Sequence, residues 1–139
     1  MTLDRRKGVP SKVPVDPRCI AKRFDAPEHA LAFDNGRLEV ITVGSRVIGK
    51  GIYAPGWRWS EVANAASQEV RSFDHVGVVL SGRAKVAITE GEFDLTSGDF
   101  FHVAGEFDFL VTGARPCEIL YISGVEALMN QFRRGRDQS

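Results

Sequence analysis

The sequence predicts an all-β, antiparallel chain folded as one small barrel or sandwich with a single helix at its C-terminal end, and three observations carry that reading. Short β-type runs recur on a short pitch between turn residues, the pattern of a sandwich or barrel rather than of alternating strands and helices. The last apolar residues switch to helical spacing. The first eighteen residues follow neither period.

Residues 1–18 hold Pro10, Pro14 and Pro17 amid scattered charge and predict an extended basic arm. The domain begins at Cys19. Asp34-Asn35-Gly36 is the first turn, followed by strands over Arg37 to Val43 and Arg46 to Ala54 with Gly44-Ser45 between them, then by Pro55-Gly56. After a less regular stretch through Asn64, runs resume at Glu69 to Leu80, Ala84 to Thr89, Phe93 to Thr96, Phe100 to Val103, Phe107 to Val111 and Cys117 to Ile122. Ser81-Gly82, Glu90-Gly91, Ser97-Gly98-Asp99 and Gly113 to Pro116 separate them. Ser123 and Glu126 make an S-x-x-E capping box, and Val125, Leu128, Met129 and Phe132 place a helix over 124–134, its apolar stripe meant for core or dimer packing. The predicted organisation is an arm over 1–18, a barrel over 19–123, and a helix and tail over 124–139.

Composition narrows the function classes. A length of 139 residues with 43% apolar content suits one core. Eighteen basic and eighteen acidic residues balance, so no global nucleic-acid footprint exists, although residues 1–25 gather seven Lys and Arg against three Asp. Cys19 and Cys117 lie far apart in no metal or redox grouping and read as free thiols. No window approaches a membrane span and no apolar run follows the basic N-terminus. The expectation is a soluble cytoplasmic protein with neither a nucleic-acid nor a membrane partner.

Two segments carry a family resemblance: His75-Val76-Gly77-Val78-Val79-Leu80-Ser81-Gly82-Arg83, and Gly98-Asp99-Phe100-Phe101-His102-Val103-Ala104-Gly105. Together with Ala54-Pro55-Gly56-Trp57-Arg58-Trp59 upstream, over roughly residues 22–122, they resemble the paired motifs of the cupin superfamily, in particular small single-domain bacterial cupins of the RmlC-like kind. The resemblance implies a double-stranded β-helix, or jelly roll, in agreement with the strand count. Residues of each motif have a structural use: Ser81-Gly82 is expected to turn a hairpin, and Ser97-Gly98-Asp99 a tight turn in which Asp99 bonds nearby amides.

The metal-binding members of that superfamily follow G-x5-H-x-H-x3,4-E-x6-G and then G-x5-P-x-G-x2-H-x3-N. Counting from Gly82 places His75 at the glutamate, and either Glu69 and Arg71 or Gln68 and Val70 at the two histidines. Counting from Gly98 places Phe109 at the third histidine and Gly113 at the asparagine. A catalytic centre needs about three ligands from imidazoles and carboxylates, Arg71 would repel an ion, and Phe109 donates nothing. No cofactor is expected, a divalent metal on His75 and Glu69 being the disfavoured alternative.

Alternate residues share a strand face. Parity puts Glu69, Arg71, Phe73 and His75 on one face and Phe107 and Phe109 on another, the resemblance implies that both faces turn into the barrel, and Trp57 and Trp59 share a face on the strand leading in. These eight residues are the candidate pocket, mostly apolar with a few polar groups, and the same rings could instead fill the barrel solid. Three functions compete. The leading one is a metal-free module binding a small, partly apolar molecule. The others are a metal-independent isomerase, epimerase or lyase with His75 as catalytic general base, and a metal-dependent, dioxygenase-like enzyme with an atypical ligand set. The resemblance also implies a homodimer.

Overall fold

The computed structural model describes residues 18–61 and 74–138, with side chains as far as Arg133. The expected arm thus lies outside the described residues save for Arg18, as do Glu69, Arg71 and Phe73. Among the described residues nine strands run in order: β1 (His29–Phe33), β2 (Gly36–Val43), β3 (Arg46–Tyr53), β4 (His75–Ser81), β5 (Arg83–Ile88), β6 (Gly91–Thr96), β7 (Phe100–Val103), β8 (Asp108–Val111) and β9 (Cys117–Ser123). The helix α1 (Val125–Gln138) follows β9. The strands form a six-stranded sheet, β1-β2-β3-β9-β4-β7, and a three-stranded sheet, β6-β5-β8, with every pairing antiparallel.

Period-2 patterning decides which side of each strand is buried. Leu38, Val40, Val79, Ile119 and Val103 from the larger sheet face Ala84, Val86, Phe109 and Val111 from the smaller, and one core lies between them. The helix adds Val125, Leu128 and Phe132, all buried, so its apolar stripe is core packing. Among the described residues no helix is long and apolar enough to cross a membrane.

Four details differ from the sequence reading. β1 is a strand that its residues do not announce: Ala30 and Ala32 alternate with Leu31 and Phe33, without a β-branched residue, and pairing with β2 through a turn at Asn35 (φ 64°) makes it one. Ser81-Gly82 is not a hairpin turn, because β4 and β5 belong to different sheets. Gly82 (φ 87°) carries the chain between the sheets past the β9 backbone so closely that a Cβ would lie 2.5 Å from the Pro116 carbonyl oxygen. The Trp57 and Trp59 segment is not a strand: it makes one isolated bridge, Arg58 to Leu110, and a helical turn begins at Trp59. Finally, α1 begins at Val125. Ser123 is still the last residue of β9, and Gly124 (φ 80°) turns the corner and accepts the Leu128 amide at 3.1 Å, displacing the expected capping box. The helix also outruns the expected end, since no proline follows Pro116 to stop it and its arginines suit a helix C-terminus.

The Ser97-Gly98-Asp99 turn is as read. Asp99 Oδ2 accepts the Thr96 amide at 2.8 Å, and the Gly98 amide and Asp99 carbonyl bond to Val79 at 2.8 and 2.9 Å, which docks the turn on β4.

Candidate functional site

Five of the eight candidate residues converge. Trp57, Trp59, His75, Phe107 and Phe109 line one small chamber inside the barrel, with Tyr53, Tyr121 and Leu128 completing its wall. The local reasons are legible. Gly56 (φ 84°) turns the chain toward β8, where its amide bonds the Val111 carbonyl at 3.1 Å and the Trp57 carbonyl accepts the Val111 amide at 2.9 Å. Asp108 then fixes Arg58 and Ser60, on either side of Trp59, accepting the Ser60 amide at 2.8 Å on one oxygen and pairing with the Arg58 guanidinium at 3.1 Å on the other. With Arg58 held outward, Trp57 and Trp59 point in, as their spacing of two requires.

The interior is a stack of rings. Tyr53 lies on Trp57 at 4.2 Å between centroids, and Phe107 lies parallel to Trp59 at 5.5 Å. His75, only 4% exposed, has the rings of Phe107, Phe101 and Tyr121 at 5.1, 5.8 and 5.9 Å. Gly124 packs against it, for a Cβ there would sit 2.6 Å from that of His75. The Tyr53 and Tyr121 hydroxyls share a buried hydrogen bond of 2.7 Å. Burial pushes both phenols above the ordinary tyrosine range and lifts the Cys117 thiol to about 11, so all three stay protonated at neutral pH. Asp74 is exposed while His75 is buried, so this carboxylate does not share the chamber.

The free space at the centre of the chamber is about 10 Å³, room for one water at most. A larger cleft of about 280 Å³ lies beside it, lined by Ser60, Ala87, Ile88, Thr89, Glu106, Phe107 and Asp108. Phe107 belongs to both walls.

The described residues do not fit a metal centre. At the two resemblance-derived ligand positions that are described, His75 faces aromatic rings and Phe109 has no donor atom, and the neighbouring phenols are held neutral. Among the described residues no group of three or more His, Cys, Asp or Glu side chains comes together to hold an ion.

Sequence reasoning missed Tyr53, Tyr121, Leu128 and the cleft. Parity could have found the tyrosines, since Tyr53 follows Gly51 and Tyr121 follows Cys117 and Ile119 on inward positions. The cleft joins three separated segments, and no local signal marks it.

No protein-family model matches the chain, and no curated protein matches its sequence. Solved structures do resemble it. A sugar phosphate isomerase of the cupin superfamily from Silicibacter pomeroyi superposes with a TM-score of 0.53 at 14% identity, over 76% of this chain and 73% of that one. The fold is that of a cupin. The cupin domain of Drosophila melanogaster CENP-C (TM-score 0.50, 12% identity, 68% of this chain and 70% of that one) is similar. So is a mutant of Bacillus subtilis oxalate decarboxylase (TM-score 0.50, 13% identity, 68% and 27%). At such identities the likeness establishes the cupin architecture alone, and the activities of these proteins differ from one another.

Proposed function

We propose that this cupin binds a small, partly apolar molecule without a resident metal, in the cleft at the edge of its aromatic chamber. One observation carries the reading: a concave space of about 280 Å³ is walled by Ala87, Ile88 and Phe107 together with Ser60, Thr89, Glu106 and Asp108, and it abuts the buried His75 and tryptophan cluster through a shared ring, Phe107. Apolar surface set beside fixed polar groups is what small-molecule sites use. Ser60 and Asp108 are held in place by their mutual hydrogen bond, so part of the polar side of the cleft is pre-formed. The test is a metabolite and fragment screen by thermal shift and native mass spectrometry. Hits that raise the melting temperature and lose affinity in Ser60→Trp support the reading; a screen without a single binder overturns it.

A second reading has its own observation. His75 lies directly behind Phe107 and is the imidazole lining the chamber among the described residues, so a metal-independent enzyme would use it as general base on a molecule that passes that ring. Unchanged turnover in His75→Gln, once a substrate is in hand, eliminates it. The free thiols of Cys19 and Cys117 support a reducing, cytoplasmic setting.

The partner we assign to the outer face of the larger sheet is a second copy. Leu80, Ile122 and Phe100 are exposed there, Phe100 by 72%, and Lys50 and Glu118 give the same face one charge of each sign, which a two-fold axis would set opposite each other. A monomer mass by light scattering at micromolar concentration refutes the assignment.

A further inference from the structure

We infer that Phe107 is the selectivity residue of the site: its ring partitions the cleft from an inner subsite between Tyr53, Trp57, Trp59, His75 and Tyr121, which takes a flat, uncharged ring bearing a hydrogen-bond acceptor. This rests on the small-molecule reading above and names the chemistry of its deeper half.

Three features place the partition at Phe107. It is the one described residue lining both spaces. The other seven side chains of the chamber wall are buried, whereas Phe107 is only partly so. It also falls between β7 and β8, two residues after Gly105 (φ 84°), outside both strands that frame it. A ring so placed turns from chamber to cleft by a change of rotamer, without breaking a ladder of either strand. With the ring in, the chamber has about 10 Å³ free. With the ring out, it gains roughly the volume of a benzene, and apolar cavities of about 150 Å³ are known to bind one.

The walls choose the ligand. Trp59 is stacked on the Phe107 ring at 5.5 Å and Tyr53 on Trp57 at 4.2 Å, so a guest that takes the place of the Phe107 ring meets an indole face, which favours a planar one. The described walls offer aromatic faces and two phenols that burial keeps neutral, which suits an uncharged guest. The Tyr53 and Tyr121 hydroxyls carry two protons, and the bond between them uses one, leaving one O–H to donate to an acceptor on the guest. Burial keeps that proton in place well into alkaline conditions.

Trp57 and Trp59 are the only tryptophans of the chain, so its indole fluorescence reports this chamber. In the full-length protein, acrylamide quenching is expected to rise several-fold in Phe107→Ala and to a lesser degree in Phe107→Leu, the second variant guarding against loss of fold in the first. Acetophenone, toluene and benzoate serve as probes by native mass spectrometry. Phe107→Ala should bind acetophenone at least ten-fold more tightly than the other two, and adding both Tyr53→Phe and Tyr121→Phe, which removes every phenolic O–H from the chamber, should erase the preference for it over toluene. Quenching equal to wild type in both variants, or equal affinity for the three probes, overturns the inference. Either result leaves cleft binding in the wild type standing, whereas an empty wild-type screen with an opened variant chamber would remove the cleft reading and keep the inner subsite.

Discussion

The two faces of the six-stranded sheet are made from alternate residues of the same strands, yet one is a closed aromatic chamber and the other an apolar surface open to solvent. On β4, His75 and Val79 are buried within the barrel, while Val76 and Leu80 point the other way. On β9, Cys117, Ile119 and Tyr121 face in, and Glu118, Leu120 and Ile122 face out. Phe100 and Phe101 are neighbours in β7; Phe101 packs against the core and Phe100 is the most exposed large apolar side chain described. Apolar residues occur on both sides, though Lys50 and Glu118 are found only on the outer one. What differs is cover: the inner side has the three-stranded sheet, α1 and the tryptophan segment, and nothing within the described chain lies over Phe100.

This contrast is open to attack by mutation. The largest effect should come from Trp59→Ala, whose fully buried side chain stacks on Phe107 and meets Phe132 edge-on; a loss of about 3–5 kcal/mol in urea unfolding is expected. Next is Tyr53→Phe. It strips Tyr121 of its partner in a buried site and should cost about 1–3 kcal/mol, far above what removal of one exposed hydroxyl would do.

A pH profile sharpens the same point. The folded chain holds the Tyr53, Tyr121 and Cys117 protons more tightly than the unfolded chain, because burial raises all three groups. Their stabilisation is complete below the unfolded values, near 9.0 for the thiol and 10.0 for the phenols, and is lost as pH rises toward the folded ones. Urea midpoints should therefore fall from about pH 9 upward, and less steeply above pH 10 in Tyr121→Phe. The smallest effect belongs to the outer face. Phe100→Ser, compared with wild type at a concentration where both are monomeric, should change stability by no more than about 0.5 kcal/mol, while at high concentration it should lower the mass seen by light scattering. Equal destabilisation by Phe100→Ser and Trp59→Ala in the monomer would end the comparison.

Much of this was legible in the chain because strands alternate. β2, β3, β5, β7 and β9 fall within a residue or two of their expected places, and the inward residues Trp57, Trp59, His75, Phe107 and Phe109 meet at one chamber. β1 was not legible, since an alanine-rich run becomes a strand only through its neighbour. Ser81-Gly82 has the residues of a hairpin turn, but the same positive φ serves a crossing between sheets, and only the pairing partners distinguish the two. Glu69, Arg71 and Phe73 lie outside the described residues.

The sequence by itself determined the fold class, the one-core size, the turn at Gly98, and the side to which most of the described strand residues point, for these follow from local backbone preference and a two-residue period. Tertiary structure decided everything that depends on what covers what. It set Tyr53 against Tyr121 across 68 positions of chain, closed the chamber with Leu128 and Phe107, and opened the cleft between Ser60, Ile88 and Glu106. It also left Phe100 uncovered. Periodicity assigns a side chain to a face, but the free volume beside that face is fixed by residues distant in sequence, and a binding site is made of that volume.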